Sequence, residues 1–518
     1  MTIRVTTAEE AARIDARAVA LGTPTWTLMN AAGARAADLI LARLPQAATR
    51  GVAVFAGAGN NGGDAWVVAA QLAARGIAVK VVEVEQPGTD DARRARDQLP
   101  ATLRVTSELE HALLESNTGV VVDGLLGTGA HGAPHANTAT AIAAIGTLRQ
   151  RGATVVSLDI PSGVDATTTG ATAGTFVQAD LTVTFGTLKR GLLRNRDAAG
   201  AIVLVDIGVG AAADADGAPE FIGQARALGV VPGIPASANK NSRRRLLVVG
   251  GAAGMAGAAI LAARGALRSG IGMVKLCVEP ASVPPAQAAV PAALTAPWPL
   301  DDSVLADYLG WAECVLIGPG LGLSRASREL AMHVLTAWKG PVVVDADALT
   351  HFQGNADRLG ELLAGRPAVV TPHAGEAERL AGIATADVDT GRFDVAARIA
   401  TRVHAAVLLK GVPTVISDSN RTVVVAAGTP VLGTGGSGDV LGGIVATLLS
   451  QTSDAMGSAA AGAWVHGRAA EIAGAGRVRG ITLDDVVAAL PSAWLHPSGS
   501  DGVPWVLAEL PAVGEGRR

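Results

Sequence analysis

One glycine-rich stretch of the chain reads Gly433-Thr434-Gly435-Gly436-Ser437-Gly438-Asp439-Val440-Leu441-Gly442-Gly443. The apolar positions that follow the glycines have the spacing of a helix: Val440, Leu441, Ile444, Val445 and Leu448. A glycine turn that leads into a helix binds anions, because unpaired N–H groups and the helix dipole point to one spot. Asp439 lies at that spot, where a carboxylate would take a proton from a hydroxyl group while the N–H groups hold a phosphate.

Two simpler interpretations of this stretch compete with an anion site. Asp439 could act only as a helix cap. The letters also satisfy the dinucleotide fingerprint G-x-G-x-x-G at Gly433, Gly435 and Gly438, which requires an acidic residue about twenty positions further on, at the end of a strand. Asp454 lies at about that distance but follows no strand-like run, so we reject a dinucleotide fold here.

Composition limits the class of protein. The chain has 518 residues and is 49% hydrophobic, which predicts more than one domain with large cores. A net charge of −4 gives no reason to expect nucleic acid or an acidic membrane surface as a partner. Cys277 and Cys314 lie in apolar runs and are expected to be reduced core residues, which favours a cytoplasmic location. No signal-peptide segment and no apolar run of about eighteen residues occurs, so no membrane span is predicted.

The first half of the chain predicts a layered α/β domain. Helices are expected at about residues 7–20 and 26–44, and short Val-rich strands without polar alternation follow. The predicted strands are 51–56, 78–85, 119–123, 154–159, 181–185 and 201–206. Strands of this kind with helices between them are typical of a buried parallel sheet.

Polar loops follow three of these strands, at the edge where open α/β sheets bind ligands. They read GAGNNGGD at 57–64, DGLLGTG at 123–129 and DIPSGVD at 159–165. Asparagine and aspartate among glycines offer backbone N–H groups to phosphate and side-chain oxygens to a cation. Any one loop could be an ordinary turn, but three in one domain indicate a ligand site.

Together these loops resemble those of the NAD(P)H-hydrate epimerase domain, and the resemblance covers about residues 5–210. It implies a Rossmann-like three-layer α/β/α domain over residues 1–215, with Asp159 as the proton-transfer residue at the epimerised carbon. The residues implied to hold the hydrated nucleotide are Asn60, Asn61, Gly62, Gly63, Asp64, Gly127, Thr128, Gly129, Ala130, His131, Gly132, Ala133 and Asp159. Those implied to ligate a potassium ion are Asn61, Asp123 and Ser162, and an all-oxygen set suits a hard cation. The chain departs from the family at Asn30, where an acidic residue is usual.

The second half repeats the α/β pattern. Segments rich in Gly, Ala, Asp and Pro at 210–217 and 229–237 predict a linker over 216–240 and a second domain over 241–518. The strands expected there are 245–249, 273–278, 314–317, 342–345, 368–371, 406–409, 414–417 and 422–426, with a helix at 258–268. The phosphate-binding motif G-x-x-x-x-G-K-[ST] does not occur.

Six motifs of the second half resemble, in family order, the ADP- or ATP-dependent NAD(P)H-hydrate dehydratase, which has a ribokinase-like α/β/α fold. They are GAAGMAGA at 251–258, GPGLG at 318–322, DADAL at 345–349, TPHAGE at 371–376, LKG at 409–411 and GTGGSGD at 433–439. By resemblance, the contacts to the hydrated nicotinamide nucleotide are Ala258, Leu321, His373 and Asp439, with Asp439 as the acid–base residue. The contacts to the adenine nucleotide are Lys410, Gly411, Val412, Pro413, Thr414, Gly435, Gly436, Ser437 and Gly438.

The resemblance implies a two-step repair enzyme for hydrated NADH and NADPH, expected to be a homo-oligomer. The first domain would interconvert the R and S epimers, and the second would remove water from the S epimer. The domain order resembles the bacterial bifunctional form, which implies ADP as co-substrate, and phosphoryl transfer implies Mg²⁺. One loop departs from the family's Ser-His-Lys-Gly run, since it reads Ala238-Asn239-Lys240-Asn241.

Two alternatives remain open at this stage. The second half could be a ribokinase-like kinase for a small molecule, because the chemistry of the glycine turn alone allows it. The first half could be a ligand-binding module without catalytic activity.

Overall fold

A computed structural model describes residues 2–101, 103–107, 118–168, 174–299, 301–495 and 503–513. The chain divides into two compact units, which we call the first and the second unit. The first unit runs to Glu220 and also contains the C-terminal strand Val506–Leu510, whereas the second unit begins at Phe221. Part of the predicted linker is ordered structure, since it contains strand Glu220–Phe221 and helix Gln224–Leu228.

The first unit contains one large sheet of short, buried strands. Its strands in chain order are β1 (Val5–Thr6), β2 (Val52–Ala56), β3 (Val79–Glu83), β4 (Arg104–Thr106), β5 (Val120–Gly124), β6 (Thr154–Leu158), β7 (Leu181–Phe185), β8 (Leu188–Lys189) and β9 (Ala201–Val205). The sheet order is the C-terminal strand, β9, β7, β6, β5, β2, β3, β4, while β1 pairs with β8 in a separate parallel ladder. All pairings within the large sheet are parallel except the antiparallel C-terminal strand, so the predicted parallel sheet is confirmed.

Helices cover both faces of this sheet. The described helices are Ala8–Ala20, Thr25–Arg43, Pro45–Ala48, Asn60–Ala74, Asp90–Asp97, Ala136–Gln150, Arg190–Arg194, Arg196–Ala199 and Gly210–Asp214. Val54 and Val122 pack into one core with helices Thr25–Arg43 and Asn60–Ala74. Their neighbours Phe55 and Val121 pack into a second core with helix Ala136–Gln150. Because successive strand residues point to opposite faces, the two cores establish the expected three layers.

The second unit contains a sheet of ten strands. They are β10 (Glu220–Phe221), β11 (Arg245–Gly250), β12 (Met273–Val278), β13 (Leu294–Pro297), β14 (Cys314–Ile317), β15 (Val342–Val344), β16 (Ala368–Val370), β17 (Ala406–Leu409), β18 (Thr414–Ser417) and β19 (Thr422–Val425). The order is β10-β19-β18-β17-β16-β15-β14-β11-β12-β13. Strands from β17 to β13 are parallel, and β18 and β19 continue the sheet as an antiparallel hairpin.

Both faces of the second sheet are also covered. The α-helices are Gln224–Leu228, Ala256–Arg268, Val283–Ala289, Asp302–Trp311, Arg325–Ala337, Ala346–Thr350, Ala356–Leu363, Ala374–Ala381, Thr385–Thr390, Arg392–Val403, Ser437–Thr452, Ala455–Gly474 and Leu483–Ala493, with 3₁₀ turns at Pro280–Ser282 and Pro430–Leu432. Leu246 and Val248 share a core with helices Ala256–Arg268 and Ser437–Thr452. The alternate residues Leu247 and Val249 point to the other face of the sheet and are equally buried. The predicted α/β class therefore holds for both units.

The sequence analysis did not predict six strands: β1, β4, β8, β10, β13 and the C-terminal strand. Each lies at an edge of its sheet, where one side of the strand lacks a neighbour and the sequence is less apolar. The prediction that residues 241–518 form one domain differs from the structure at the C-terminal strand, which pairs with β9. Within the described ranges, no helix is long and apolar enough to cross a membrane, and both cysteines are free and buried, as predicted.

Candidate active sites

The three loops of the first unit meet in one cavity. Loops after β2, β5 and β6 line a space of about 580 Å³. The predicted site residues that line it are Asn60, Asn61, Asp64, Gly127, Thr128, Gly129, Ala130 and Asp159. Its other predicted members do not: Gly62 and Gly63 are buried in the start of helix Asn60–Ala74, and His131, Gly132 and Ala133 are exposed.

Close backbone packing explains the glycines of the first loop. A Cβ atom at Gly62 would overlap the carbonyl oxygen of Gly57, and one at Gly57 would overlap that of Leu125. These positions therefore exclude any side chain, because backbone cannot move aside as a flexible side chain can. The loop after β2 is thereby pressed against the loop after β5, which brings the two motifs to one cavity.

Asp159 is held in a strained backbone conformation at the end of β6. Its φ of 62° lies in the left-handed region, which non-glycine residues rarely adopt and which concentrates at functional sites. Its Oδ1 atom accepts hydrogen bonds from Thr184 Oγ1 and the Phe185 N–H, each at 3.2 Å, and from Lys189 Nζ. Lys189 also donates to the carbonyl of Phe185 at 2.9 Å and is only 2% exposed.

Four further carboxyl groups share this cavity with Asp159, those of Asp15, Asp64, Glu85 and Asp91. Burial raises the pKa of Asp64 well above its ordinary value, and the charges of Asp159 and Asp15 raise it further. Asp15, on helix Ala8–Ala20, is open to the cavity, yet the surrounding protein raises its pKa to about 6, with Lys189 opposing and Asp159 reinforcing the shift. Sequence analysis missed Asp15 and Lys189, because neither lies in a glycine-rich motif.

The predicted potassium ligands lie together behind the cavity. Asp123 is fully buried and accepts hydrogen bonds from Ser162 Oγ at 2.6 Å, Ser162 N at 2.9 Å and Ser157 Oγ at 2.8 Å. The Nδ2 atom of Asn61 donates to the Leu126 carbonyl at 2.8 Å, whereas its Oδ1 is buried and has no hydrogen-bond partner among the described residues. A buried oxygen without a donor fits a cation, because leaving it unsatisfied costs free energy.

In the second unit, the glycine turn begins a helix as predicted. Gly436 has φ +93° and precedes helix Ser437–Thr452, whose predicted apolar face is buried. Asp439 lies in the first turn and is not the cap, so the simple capping interpretation fails. Asp454, the candidate acidic residue of the rejected dinucleotide motif, caps the next helix through a 3.0 Å bond from the Gly457 N–H.

A buried charge cluster faces this turn. Lys410 Nζ donates to Asp345 Oδ1 at 2.9 Å and lies 3.6 Å from Glu376 Oε2. A Cβ atom at Gly438 would lie 3.2 Å from the same Nζ, so the turn and the lysine are in contact distance. Burial works against the charged lysine, but Asp345 and Glu376 outweigh it and raise the Lys410 pKa.

The same cluster of charged residues shifts the pKa of Asp439. Burial raises the pKa of Asp439 to about 7, with Asp345 adding to the shift and Lys410 opposing it. A carboxyl group with a pKa near neutrality exchanges protons readily, which suits it to acid–base catalysis. Sequence analysis quoted the motifs that contain Asp345 and Glu376 but gave neither residue a role.

The other residues predicted to bind nucleotides in the second unit differ in their exposure to solvent. His373 caps helix Ala374–Ala381, where its Nδ1 accepts from the Gly375 N–H at 3.0 Å, and its side chain is half exposed. Leu321 is fully buried, so only its backbone is available to a ligand, and Ala258 is half-buried. Gly411 has φ +156°, and a Cβ atom at this position would overlap the guanidinium group of Arg392.

The segment that follows Gly411 forms a turn into β18. Thr414 Oγ1 donates to the Gly411 carbonyl at 3.2 Å, and Arg392 donates to the carbonyl of Pro413. Val412 is exposed at the tip of this turn. The predicted adenine-nucleotide segment 410–414 therefore lies between the buried Lys410 cluster and a buried arginine. Sequence analysis missed Arg392, which lies about twenty residues before this segment and in no motif.

The fold and the two sites define a class: a two-unit α/β enzyme with an acidic cavity in one unit and a glycine-turn site in the other. The family model for NAD(P)H-hydrate dehydratase matches residues 246–492, and the one described as YjeF-related protein N-terminus matches residues 26–191.

Whole-chain relatives agree with these matches. A bifunctional NAD(P)H-hydrate repair enzyme of Escherichia coli K12 is 33% identical over 480 residues, which cover 91% of this chain and 90% of that protein. One from Hyperthermus butylicus is 34% identical over 511 residues, covering 95% and 92% respectively. Among solved structures, a Bacillus subtilis ADP/ATP-dependent NAD(P)H-hydrate dehydratase shares 25% identity and covers 53% of this chain and 97% of its own, with a TM-score of 0.46. The chain belongs to the family of bifunctional NAD(P)H-hydrate repair enzymes.

Proposed function

We propose that this chain restores hydrated NADH and NADPH in two steps, one in each unit. The observation that carries the proposal is Asp439, buried at the start of a helix behind a glycine turn, beside Lys410 and Asp345. The family membership of the whole chain supports it and favours repair over the alternative of a small-molecule kinase.

In the second unit, ADP is the proposed co-substrate. Asp439 takes the proton of the ring hydroxyl, and the hydroxyl oxygen attacks the β-phosphorus of ADP, so that AMP leaves. The phosphorylated oxygen then departs as phosphate, the adjacent ring carbon loses a proton to solvent, and the electron pair of that C–H bond completes the double bond of the dihydronicotinamide ring. The N–H groups of the turn 435–438 and the ammonium of Lys410 stabilise charge on the transferred phosphoryl group.

Mg²⁺ would neutralise phosphate charge in this step and is proposed to arrive with the nucleotide. The described residues include no group of three or more His, Cys, Asp or Glu side chains placed to hold a metal ion. Asp345 and Glu376, two of the acidic groups that raise the pKa of Asp439, already face Lys410. The donor set therefore fits an ion carried by substrate phosphates better than a resident metal centre.

In the first unit, Asp159 is the proposed acid–base residue that interconverts the R and S epimers. The hydrated nicotinamide ring would lie in the cavity, and the phosphates of the same nucleotide would lie near residues 60–64 and 127–133. Potassium fits the site of Asn61, Asp123 and Ser162, and it would supply a fixed positive charge behind the first loop. Its proposed contact is the otherwise unpaired Asn61 Oδ1.

A cytoplasmic location and a homo-oligomeric state are also part of the proposal. Both thiols are free and buried, which suits a reducing compartment. Light scattering of the purified chain would give the mass in solution, and a monomer would contradict the oligomer.

One absorbance assay tests both activities. A mixture of R and S hydrates of NADH is incubated with the chain and ADP, with ATP, or with neither, and the restored dihydronicotinamide is followed. Complete recovery with ADP, faster than the epimers interconvert unaided, is the expected result. Recovery of the S fraction alone would contradict the epimerase proposal, and a stable phosphorylated product would indicate a kinase.

A further inference from the structure

Several acidic residues of the first-unit cavity have no proton-transfer role in the proposed epimerisation, and Asp15 is one of them. Asp15 lies on helix Ala8–Ala20 and lines the same cavity as Asp159, Lys189 and Asp64. The helix is fixed in place, because Ile14 and Ala18 are buried in the core. The position of Asp15 is therefore set by the fold.

The start of this helix is anchored as well. Thr7 and Glu10 form a reciprocal capping box, and Glu10 also accepts from Arg190 at 3.1 Å. Arg190 directly follows Lys189, so the segment that carries the lysine is tied to the helix that carries Asp15. Lysine is rare in this chain, with six against thirty-six arginines, and a buried ammonium is a compact charge that arginine cannot replace.

Asp159 and Asp15 differ in the hydrogen bonds that hold them. Thr184, Phe185 and Lys189 all donate to Oδ1 of Asp159, so three donors fix the orientation of this carboxylate. Among the described residues, Asp15 has no such bond and faces the cavity. Two carboxyl groups in different environments can hold different protonation states at one pH, which is the requirement for an acid and a base in a single site.

We propose that Asp15 is a second acid–base residue of the epimerisation site, and that Lys189 is a positioning residue that orients the Asp159 carboxylate. This inference rests on the proposed epimerase function. It assigns the proton donor to Asp15 and the proton acceptor to Asp159.

The chemistry follows from the substrate class, since water added to an enamine gives a carbon that bears both a hydroxyl group and the ring nitrogen. Protonated Asp15 gives its proton to the hydroxyl oxygen. The C–O bond breaks with its electron pair on oxygen, water leaves, and the nitrogen lone pair forms a C=N bond. Water then adds to the opposite face of that carbon and gives one proton to Asp159. Exchange with solvent returns the two carboxyl groups to their starting states.

The charged groups around Asp15 set the pH range in which it can act. The surrounding protein partly desolvates Asp15, although the residue keeps an exposed face, and raises its pKa to about 6, while Lys189 from β8 opposes the shift and Asp159 after β6 adds to it. The acidic groups that share the cavity are Asp64, Glu85 and Asp91. An acid with this pKa loses its proton as the pH rises through 6, so the rate should fall above that pH.

The test is Asp15→Asn in the full chain, with conversion of purified R hydrate to S followed by chromatography. We expect a fall in kcat of about 10²-fold, as for loss of a general acid, and loss of the decline in rate above about pH 6. Glu9→Gln is the matched control, because Glu9 is an exposed acid on the same helix outside the cavity. Thermal unfolding that matches that of the parent chain confirms that the first unit of the variant is folded.

Lys189→Met tests the positioning role. Without the ammonium, the Asp159 carboxylate loses one of its three hydrogen-bond donors, so kcat for epimerisation should fall at least tenfold while KM stays within about threefold. A lysine needed only for folding would lower kcat and the unfolding temperature together, and this result would overturn the positioning role.

The outcomes separate the inference from the function on which it rests. Epimerisation by Asp15→Asn within threefold of the parent rate, or a rise in KM alone, overturns the role of Asp15 and leaves the epimerase intact. A parent chain that dehydrates the S hydrate but does not epimerise overturns both proposals for the first unit.

Discussion

Asp159 and Asp439 are the same side chain in two different electrostatic settings. Asp159 receives a hydrogen bond from Lys189 itself. Lys410, the corresponding cation of the second unit, gives its described hydrogen bond to Asp345 and acts on Asp439 through space. Asp439 therefore keeps a pKa of about 7, so that it can both accept and release a proton near neutral pH.

Asp439→Asn should lower dehydration of the S hydrate by about 10²- to 10⁴-fold, because the amide cannot accept the hydroxyl proton. The measurement is the initial rate of absorbance recovery with ADP. Thermal unfolding that matches that of the parent chain is the control for folding. A loss of less than about tenfold would exclude Asp439 as the base.

The raised pKa of Asp439 also predicts a pH dependence. As a base it must be ionised, so kcat/KM for dehydration should rise with pH and level off above about 7. The sign for stability is opposite, since a carboxyl group that binds its proton more tightly in the folded state destabilises the fold as the pH rises from about 4 to 7. A profile that is flat between pH 5.5 and 8 would contradict this assignment.

Asn61→Leu should weaken the potassium requirement that we propose for epimerisation. Leucine has a similar size but offers no oxygen to the ion, so the potassium concentration for half-maximal rate should rise at least tenfold. The measurement is a titration with KCl at constant ionic strength. Gln71→Leu, on the partly exposed side of the same helix, is the control. Equal potassium dependence in parent and Asn61→Leu would contradict the site.

At the scale of elements, the Asp439 helix is positioned by a close crossing. Helix Ser437–Thr452 packs on helix Ala256–Arg268 through a glycine from each side. A Cβ atom at Gly443 would overlap the Ala262 carbonyl oxygen, and one at Gly265 would overlap that of Val440. The backbone contact fixes the helix that carries Asp439 against the helix that follows the 251–258 motif.

Gly443→Ala should force the two helices apart. We expect a loss of about 1–3 kcal/mol in the free energy of unfolding, the usual cost of overpacking, together with slower dehydration, since Asp439 begins the same helix. Thermal unfolding and the S-hydrate assay measure these effects. Gly310→Ala is the control, because no atom lies within 4 Å of its added Cβ and alanine favours the helix. Equal stability of both variants would contradict the crossing.

At the scale of the whole molecule, the last strand of the chain belongs to the first unit and not to the second unit that precedes it in sequence. After the second unit, the chain returns and adds Val506–Leu510 antiparallel to β9. Arg43 pairs with Glu509, the Arg35 guanidinium lies 5.9 Å from the Trp505 ring centroid, and Leu510 is buried. The last strand therefore belongs to the fold of the first unit.

A chain without residues 503–518 should lose epimerase activity at a lower temperature than the parent, because β9 would lose its neighbouring strand. Dehydratase activity should show little change in the same experiment. Residual activities after heating measure both effects. Glu509→Gln is the control, since an exposed ion pair contributes less than about 1 kcal/mol. Parallel loss of the two activities would contradict this assignment of the strand.

The sequence by itself determined the α/β class of both units, most of the strands and the positions of Asp159 and Asp439. These features are local: a buried parallel strand needs a short apolar run, and a ligand loop needs glycines directly after it. Only the tertiary structure brought Asp15, Lys189 and Asp345 into the sites and returned the last strand to the first unit. Such residues carry no local signal, because their role depends on contacts with distant segments and on the pKa shifts that arise when the fold buries charges together.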